Sequence, residues 1–455
     1  MLQKQGLNYI NQPRFHLNSM EKSTSLSVKD CRIIVDGKVC NTNIYTLNGK
    51  IVKIGAFRPA DTVIHARGAF AIPGVIDPHV HFRMPGNETL ETWESGSKAA
   101  VSSGITTVLD MPNNYPACTS FEVLQQKKVF TKDSYVNYGF HFGACKDNIT
   151  TLDRISDIAS VKIFMGSSTG NLLIDNDRDL LRIFRKGRIV TVHAEDEELI
   201  RSFTRIANLN WICKKIVPSH NDVRPNICAE IACQKVIAMS RFTKTPAYIA
   251  HVSTKEEIES IAKARLGKVP VYCEATPHHL FLTAEMCSDN LTKVNPPIRT
   301  ERDQEALWKG IRDGIVDTIG SDHAPHLLSD KRKDYFNAPS GISGIETSLP
   351  LMLNAVNEGF LSLPDVVRLM CTNPARIFGL RNKGGISPGH DADITLIDMN
   401  MTKPVVAAEF NSKAKFSPFD GMKLQGWPVC TIVGGKLAWW DGEFYVKNGK
   451  EIIYC

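Results

Sequence analysis

Apolar and polar positions change their period twice along the chain. Near the start, CRIIVDGKV and IYTLNGKIVKIG are short β-rich runs cut by Asp-Gly and Asn-Gly pairs that favour hairpin turns, and ADITLIDM and VCTIVGGKLAWWDGEFYVKNGKEII repeat that texture near the end. Between them, apolar runs alternate with segments such as PNICAEIACQKVIAMSRF, KEEIESIAKARLG and RDQEALWKGIRDG, whose apolar residues recur at three- and four-residue spacing. The runs number eight: AIPGVIDPHVH, GITTVLDMPN, YVNYGFHFG, SVKIFMGSS, RIVTVHAED, AYIAHVS, VPVYCEATPHH and VDTIGSDHAP. Repeated β-α units of this kind predict an α/β fold, a (β/α)8 TIM-like barrel over 73–385. Segments 28–72 and 386–455 are expected to meet in space as a small β-sandwich domain. Residues 1–27 are polar, poor in acids and without the continuous apolar core of a secretory signal, and read as a disordered extension.

Composition narrows the class without changing this picture. With 43% hydrophobic and 22% charged residues the chain has an ordinary globular mix, which argues against disorder or a fibrous repeat. The net charge of +6 carries no long basic run or aromatic-interleaved patch, so no nucleic-acid partner is expected. No apolar stretch approaches the roughly 20 residues that span a bilayer, so no membrane partner is expected either. The 12 cysteines are scattered and form no C-x-x-C pair, which suits buried thiols in a reducing, cytoplasmic setting.

The candidate chemistry lies at the ends of the apolar runs, which in a barrel of this kind converge on one face. The first run ends in Asp77-Pro78-His79-Val80-His81-Phe82-Arg83, and residues two apart on an extended segment point the same way. A lone His-x-His is equally a packed pair of histidines. His193, His251 and Asp322 end three further runs, however, and imidazole with carboxylate suits Zn²⁺ or a similar divalent ion. Four histidines and an aspartate exceed the three protein ligands of one catalytic ion, whereas two ions about 3.5 to 4 Å apart would use them all if an anion bridged them. Lys162, inside an apolar run, is the candidate bridge: burial biases its amine to the neutral form that takes up CO₂ as a carbamate. The alternative is a lysine whose stem lies along the surface with its head in water.

The stretches DPHVHFRMPG, TTVLDMPNN, VKIFMGSSTG, TVHAED, AHVST, CEATPHHL, KVNPPIR, SDHAPH, GISGIETSLPLML, NPARIFGL and GGISPGHDADITLID, in this order, resemble the amidohydrolase superfamily and, within it, the long-form dihydroorotases. The resemblance covers nearly all of the chain after the N-terminal extension. It implies two Zn²⁺ per chain, one held by His79 and His81 and the other by His193 and His251, bridged by carboxylated Lys162. Asp322 would ligate the first ion and act as catalytic acid/base. Arg83, Asn113 and His326 match the family's substrate-carboxylate positions; Asn295 and the Gly341–Gly344 stretch match its contacts to the pyrimidine ring, although each is also an ordinary turn residue. The implied reaction is the reversible cyclisation of N-carbamoyl-L-aspartate to L-dihydroorotate in pyrimidine biosynthesis. Its competitors are an allantoinase or dihydropyrimidinase, which share the ligands, and a non-catalytic scaffold barrel.

The partners expected are the small-molecule substrate, a second copy in a homo-oligomer, a dimer at its simplest, and aspartate transcarbamoylase. His278 and His279 are expected to be structural, His323 to orient a ligand, and His220 and Arg224 to be surface polar residues. Met84, Asn114 and Ser321 depart from the family pattern, and none of them is a ligand.

Overall fold

The computed structural model describes residues 24–35, 37–166, 172–287 and 289–455. Most of the expected N-terminal extension lies outside the described residues. Its last residues do not belong to it: β1 begins at Ser25 and pairs antiparallel with β2 from Ser25 opposite Leu47. Leu26 and Val28, two apart, bury one face there, a signal hidden by the surrounding serines.

Five strands precede the barrel: β1 (Ser25–Val35), β2 (Lys38–Leu47), β3 (Lys50–Gly55), β4 (Thr62–His65) and β5 (Phe70–Pro73). Eight form it: β6 (Val75–Val80), β7 (Ile105–Asp110), β8 (Asn137–Gly143), β9 (Ser160–Phe164), β10 (Val190–His193), β11 (Ala247–Ile249), β12 (Val271–Ala275) and β13 (Thr318–Ile319). Four follow: β14 (Ile394–Pro404), β15 (Lys423–Val433), β16 (Lys436–Trp440) and β17 (Glu443–Phe444). Each of the eight apolar runs supplies one barrel strand, all parallel and in sequence order. The strands are largely apolar and buried on both faces because helices cover the sheet's outer face while side chains fill its interior; β6 and β7 are buried at every position. An isolated parallel bridge, Val80 to His323, joins the first strand to the segment after the last.

The helices show the spacing read from the sequence. In Asn226–Thr243 the buried residues include Cys228, Ala229, Ala232, Cys233, Val236 and Ile237, a stripe at three- and four-residue intervals. Lys255–Leu266 starts at a capping box in which Thr254 accepts from the Glu257 amide.

The two ends of the chain meet where β5 pairs with β14, giving one continuous nine-stranded sheet. Leu26, Ile44, Ile51, Ile394, Ile432 and Trp440 share its core, so strands far apart in the sheet enclose the same interior. The C-terminal tail departs from expectation. Residues 449–455 leave this domain and lie along the barrel, where Tyr138 and Ile452 exchange main-chain hydrogen bonds with the facing segment and Leu380 bridges Tyr454.

Candidate active site and metal centre

All ten residues singled out at the strand ends and loops line one cavity of about 370 Å³ at the carboxyl end of the barrel. His79 lies on β6, Lys162 on β9 and His193 at the end of β10. The others follow their strands by a few residues or arrive on longer loops. Three of them, Arg83 (φ 59°), His251 (φ 37°) and Asp322 (φ 45°), hold a left-handed backbone that costs free energy for any residue with a Cβ. Such strain clusters at functional sites, where it fixes side-chain direction.

Hydrogen bonding fixes which ring nitrogens face inward. His79 donates from Nδ1 to Glu274 Oε1 at 2.7 Å, and His81 from Nδ1 to Asn113 Oδ1 at 2.7 Å. The two Nε2 atoms then carry lone pairs, yet they lie 3.1 and 3.0 Å from the same oxygen, Asp322 Oδ1. Three acceptors aimed at one point require a proton or a cation among them. The ligating atoms of His79, His81 and Asp322 lie within 4.8 Å of one another, and this set fits a divalent ion. Burial lowers His81 to about 4, which keeps that ring neutral near physiological pH.

The opposite side of the cavity repeats the pattern. His193 donates from Nε2 to Glu195 Oε2 at 2.9 Å, which turns the bare Nδ1 toward His251 Nε2 at 3.0 Å. Burial opposes the ionisation of Glu195, but Arg224 and His193 outweigh it and hold the carboxyl at about 2. His251 Nδ1 and Lys162 Nζ are both buried without a hydrogen-bond partner. Lys162 is wholly buried, so it is not a surface-lying lysine, and desolvation lowers its amine to about 8. Unpartnered polar atoms this deep are costly.

At the outer end, Arg83 Nε donates to the Pro325 carbonyl at 3.3 Å. His326 Nε2 lies 3.2 Å from the Arg83 guanidinium and 3.1 Å from the Ser340 carbonyl, serving one or the other according to its tautomer. Burial, then the charges of Arg83 and Lys331, keep His326 neutral down to about 3. No carboxylate among the described residues pairs with Arg83. Asn295 Oδ1 meets His220 Nε2 at 2.8 Å, and His220 Nδ1 meets the Tyr335 hydroxyl at 2.8 Å, so His220 braces the cavity from behind.

Two structural roles correct the sequence reading. Arg224, expected at the surface, is buried, lines the cavity and pairs with Glu195. Glu274 was not singled out at all, yet it receives His79 Nδ1, the His251 amide at 3.0 Å and the Tyr248 hydroxyl at 2.7 Å. Gly320 on the neighbouring segment makes room for it, since a Cβ there would collide with the Glu274 carboxylate. The sequence offers little signal for it, since one acid in VYCEA reads as strand alternation. His279 bonds Thr276 Oγ1 and the Pro296 carbonyl, a structural role, whereas His278 Nε2 is buried without a partner. His323 accepts the His81 amide on its carbonyl at 2.8 Å while its ring faces Glu91.

The amidohydrolase family model matches residues 70–438. The dihydroorotase of Methanosarcina acetivorans is 38% identical over 446 residues, covering 93% of this chain and 94% of its own. That of Pyrococcus abyssi is 36% identical and covers 93% and 97%. Among solved structures, the L-hydantoinase (dihydropyrimidinase) of Arthrobacter aurescens superimposes with a TM-score of 0.89 at 30% identity, covering 94% of this chain and 99% of that one. The dihydropyrimidinase of Brevibacillus agri gives 0.86 at 26% identity, over 94% and 98%.

Proposed function

The chain belongs to the amidohydrolase family, and from that premise we propose that it catalyses the reversible cyclisation of N-carbamoyl-L-aspartate to L-dihydroorotate and water, the reaction of a dihydroorotase. The observation that carries this reading is Arg83: a guanidinium inside the cavity, lowered to about 10 by burial, with no carboxylate among the described residues paired to it. The carboxylate of dihydroorotate supplies that partner, with the Asn113 amide and His326 beside it. The neutral ring of dihydropyrimidinase substrates would leave the guanidinium uncompensated.

His79, His81 and Asp322 would hold one Zn²⁺, His193 and His251 a second, and carboxylated Lys162 would bridge them. Bound there, the ions would polarise the ring amide carbonyl and bring the pKa of water toward about 7. Glu274 and Glu195 fix the histidine tautomers that leave the inward nitrogens bare. Asp322 Oδ1 is the acceptor nearest the cluster; in hydrolysis it takes the proton of the attacking water and returns it to the departing ring nitrogen, and cyclisation runs this in reverse. A homo-oligomer, a dimer at its simplest, and association with aspartate transcarbamoylase extend the reading through the family resemblance. The cytoplasmic setting is supported by the cysteines, all free; no helix among the described residues is long and apolar enough to cross a membrane.

The test is a parallel assay on dihydroorotate, allantoin and dihydrouracil, with elemental analysis of the same preparation. Turnover of dihydroorotate alone and two divalent ions per chain are expected. Preference for either neutral ring would overturn the substrate assignment, and a Lys162→Ala protein with normal activity would remove the bridge.

A further inference from the structure

The cavity wall at Pro339–Gly341 belongs to no helix or strand, and ammonium groups hold its main chain. Lys331 is 1% exposed, and its Nζ donates to the carbonyl oxygens of Lys293 at 2.8 Å, Pro339 at 3.1 Å and Gly341 at 3.0 Å. No carboxylate among the described residues pairs with it. Lys293 reaches the same segment with its own Nζ, donating to the carbonyls of Tyr335 at 2.6 Å and Ala338 at 2.7 Å. Burial and the neighbouring Lys293 charge lower Lys331 to about 7, but three carbonyl acceptors need three N–H donors, which only the ammonium supplies. A buried ammonium with no counter-ion is expensive to keep.

What it holds in place is the end of the cavity that carries Arg83. The Ser340 carbonyl faces His326, and His326 faces Arg83. Gly341, at φ 146°, packs so close that a Cβ would lie 2.6 Å from the Ala324 carbonyl oxygen and 2.9 Å from the His326 ring. The Lys293 carbonyl also accepts the Gly341 amide at 2.9 Å, and Lys293 stands two residues before Asn295. One ammonium therefore joins the two loops that form this wall. We propose that Lys331 is a positioning residue that sets the shape of the carboxylate-binding end of the cavity, so that affinity for the anionic substrate depends on a side chain that does not line it.

This inference rests on the dihydroorotase reading, and the experiment separates the two. Orotate carries a ring-borne carboxylate like that of the substrate, whereas uracil lacks it. In Lys331→Gln and Lys331→Met, KM for dihydroorotate and Kd for orotate should rise about tenfold or more, the loss expected when hydrogen bonds from a charged group are removed. Metal content should be unchanged, kcat should stay within about threefold, and uracil binding should weaken less than orotate binding; Lys331→Arg should restore part of the orotate affinity. Lys331→Gln keeps two N–H donors and serves if Lys331→Met does not fold. An unchanged orotate Kd in folded Lys331→Gln overturns the proposal, as does a fall in kcat at constant KM. A wild-type protein that neither turns over dihydroorotate nor binds orotate overturns the functional reading itself.

Discussion

At the mouth of the barrel, Lys162 Nζ and His251 Nδ1 are buried with no hydrogen-bond partner, and two histidine lone pairs face one carboxylate oxygen. At the seam between barrel and terminal sheet, Lys383 places its largely enclosed ammonium 2.6 Å from Asp393 and 2.9 Å from Asp391. Asp393 there also receives the Asn137 amide at 2.9 Å and the Gly434 main-chain N–H at 2.7 Å. Both regions bury charge, but only the seam satisfies it within the protein. A satisfied network contributes rigidity and stability, whereas one left incomplete and backed by strained backbone costs stability and is kept for what binds there. Changes at the mouth should therefore remove activity at little cost in stability, and changes at the seam should do the reverse.

The largest effect is expected at Asp322. Asp322→Asn keeps the size and one ligating oxygen but cannot accept a proton, so kcat should fall by about 10² to 10⁴, the range for losing a general base. Metal content should be largely retained, and the metal-free variant should melt no lower than the metal-free wild type, because the substitution relieves a cluster of facing acceptors. Loss of activity in step with loss of metal would confine Asp322 to a ligand's role. A lower melting temperature of the metal-free variant would break the contrast between mouth and seam.

Arg83→Met comes next. Removing one partner of a desolvated charged contact costs roughly 2 to 5 kcal/mol, which is about 30-fold to several thousand-fold in kcat/KM for dihydroorotate. Among the described residues Arg83 donates to the Pro325 carbonyl and toward His326 alone, so metal content and stability should be preserved. Unchanged kcat/KM would place the substrate carboxylate elsewhere and return the neutral-ring enzymes to contention.

The same contrast explains what was legible in the sequence. Every barrel strand was visible because each lies in a short, mainly apolar run with polar residues at its end, and the run favours the strand. His79, His81, His193, His251 and Asp322 were legible because strand ends converge. Glu274 was not, since one acid among VYCEATPHH reads as strand alternation until Gly320 is known to lie against it. Lys331 sits in the charge run DKRKD, which reads as a solvated face, and only the fold shows that one of those lysines points inward. Arg224 follows a polar loop and gave no sign of its partner Glu195. The C-terminal tail shares the glycine-punctuated texture of the terminal sheet, so its return to the barrel depends on contacts far apart in sequence.

The smallest effect on catalysis should come from Lys383→Met at the seam. The substitution leaves Asp391 and Asp393 without their shared ammonium, and breaking a buried pair by removing one partner costs about 3 to 5 kcal/mol. The lower end applies, because Asn137 and the Gly434 amide still serve Asp393 and the half-exposed Lys50 still reaches Asp391. The sign of the pH dependence follows from the two shifts. Asp391 is held below its ordinary 3.8: burial works against ionisation, but the neighbouring Lys383 and Lys50 outweigh it. Its contribution is therefore fully present above 3.8 and is lost as pH falls toward its lower folded value. Lys383 is raised above 10.5 despite its burial, because Asp393 and Asp391 outweigh the desolvation, so its contribution is present below 10.5 and lost as pH climbs through the raised value. The stability gap between wild type and Lys383→Met should be flat between these limits and narrow beyond either one, with kcat and KM at neutral pH unaltered. Thermal melts of the two proteins across pH, paired with assays at one temperature, measure both halves. A gap that peaks near neutral pH would assign the stabilisation to other groups, and a fall in kcat with no change in melting would show that the seam serves catalysis, removing the distinction between the two regions.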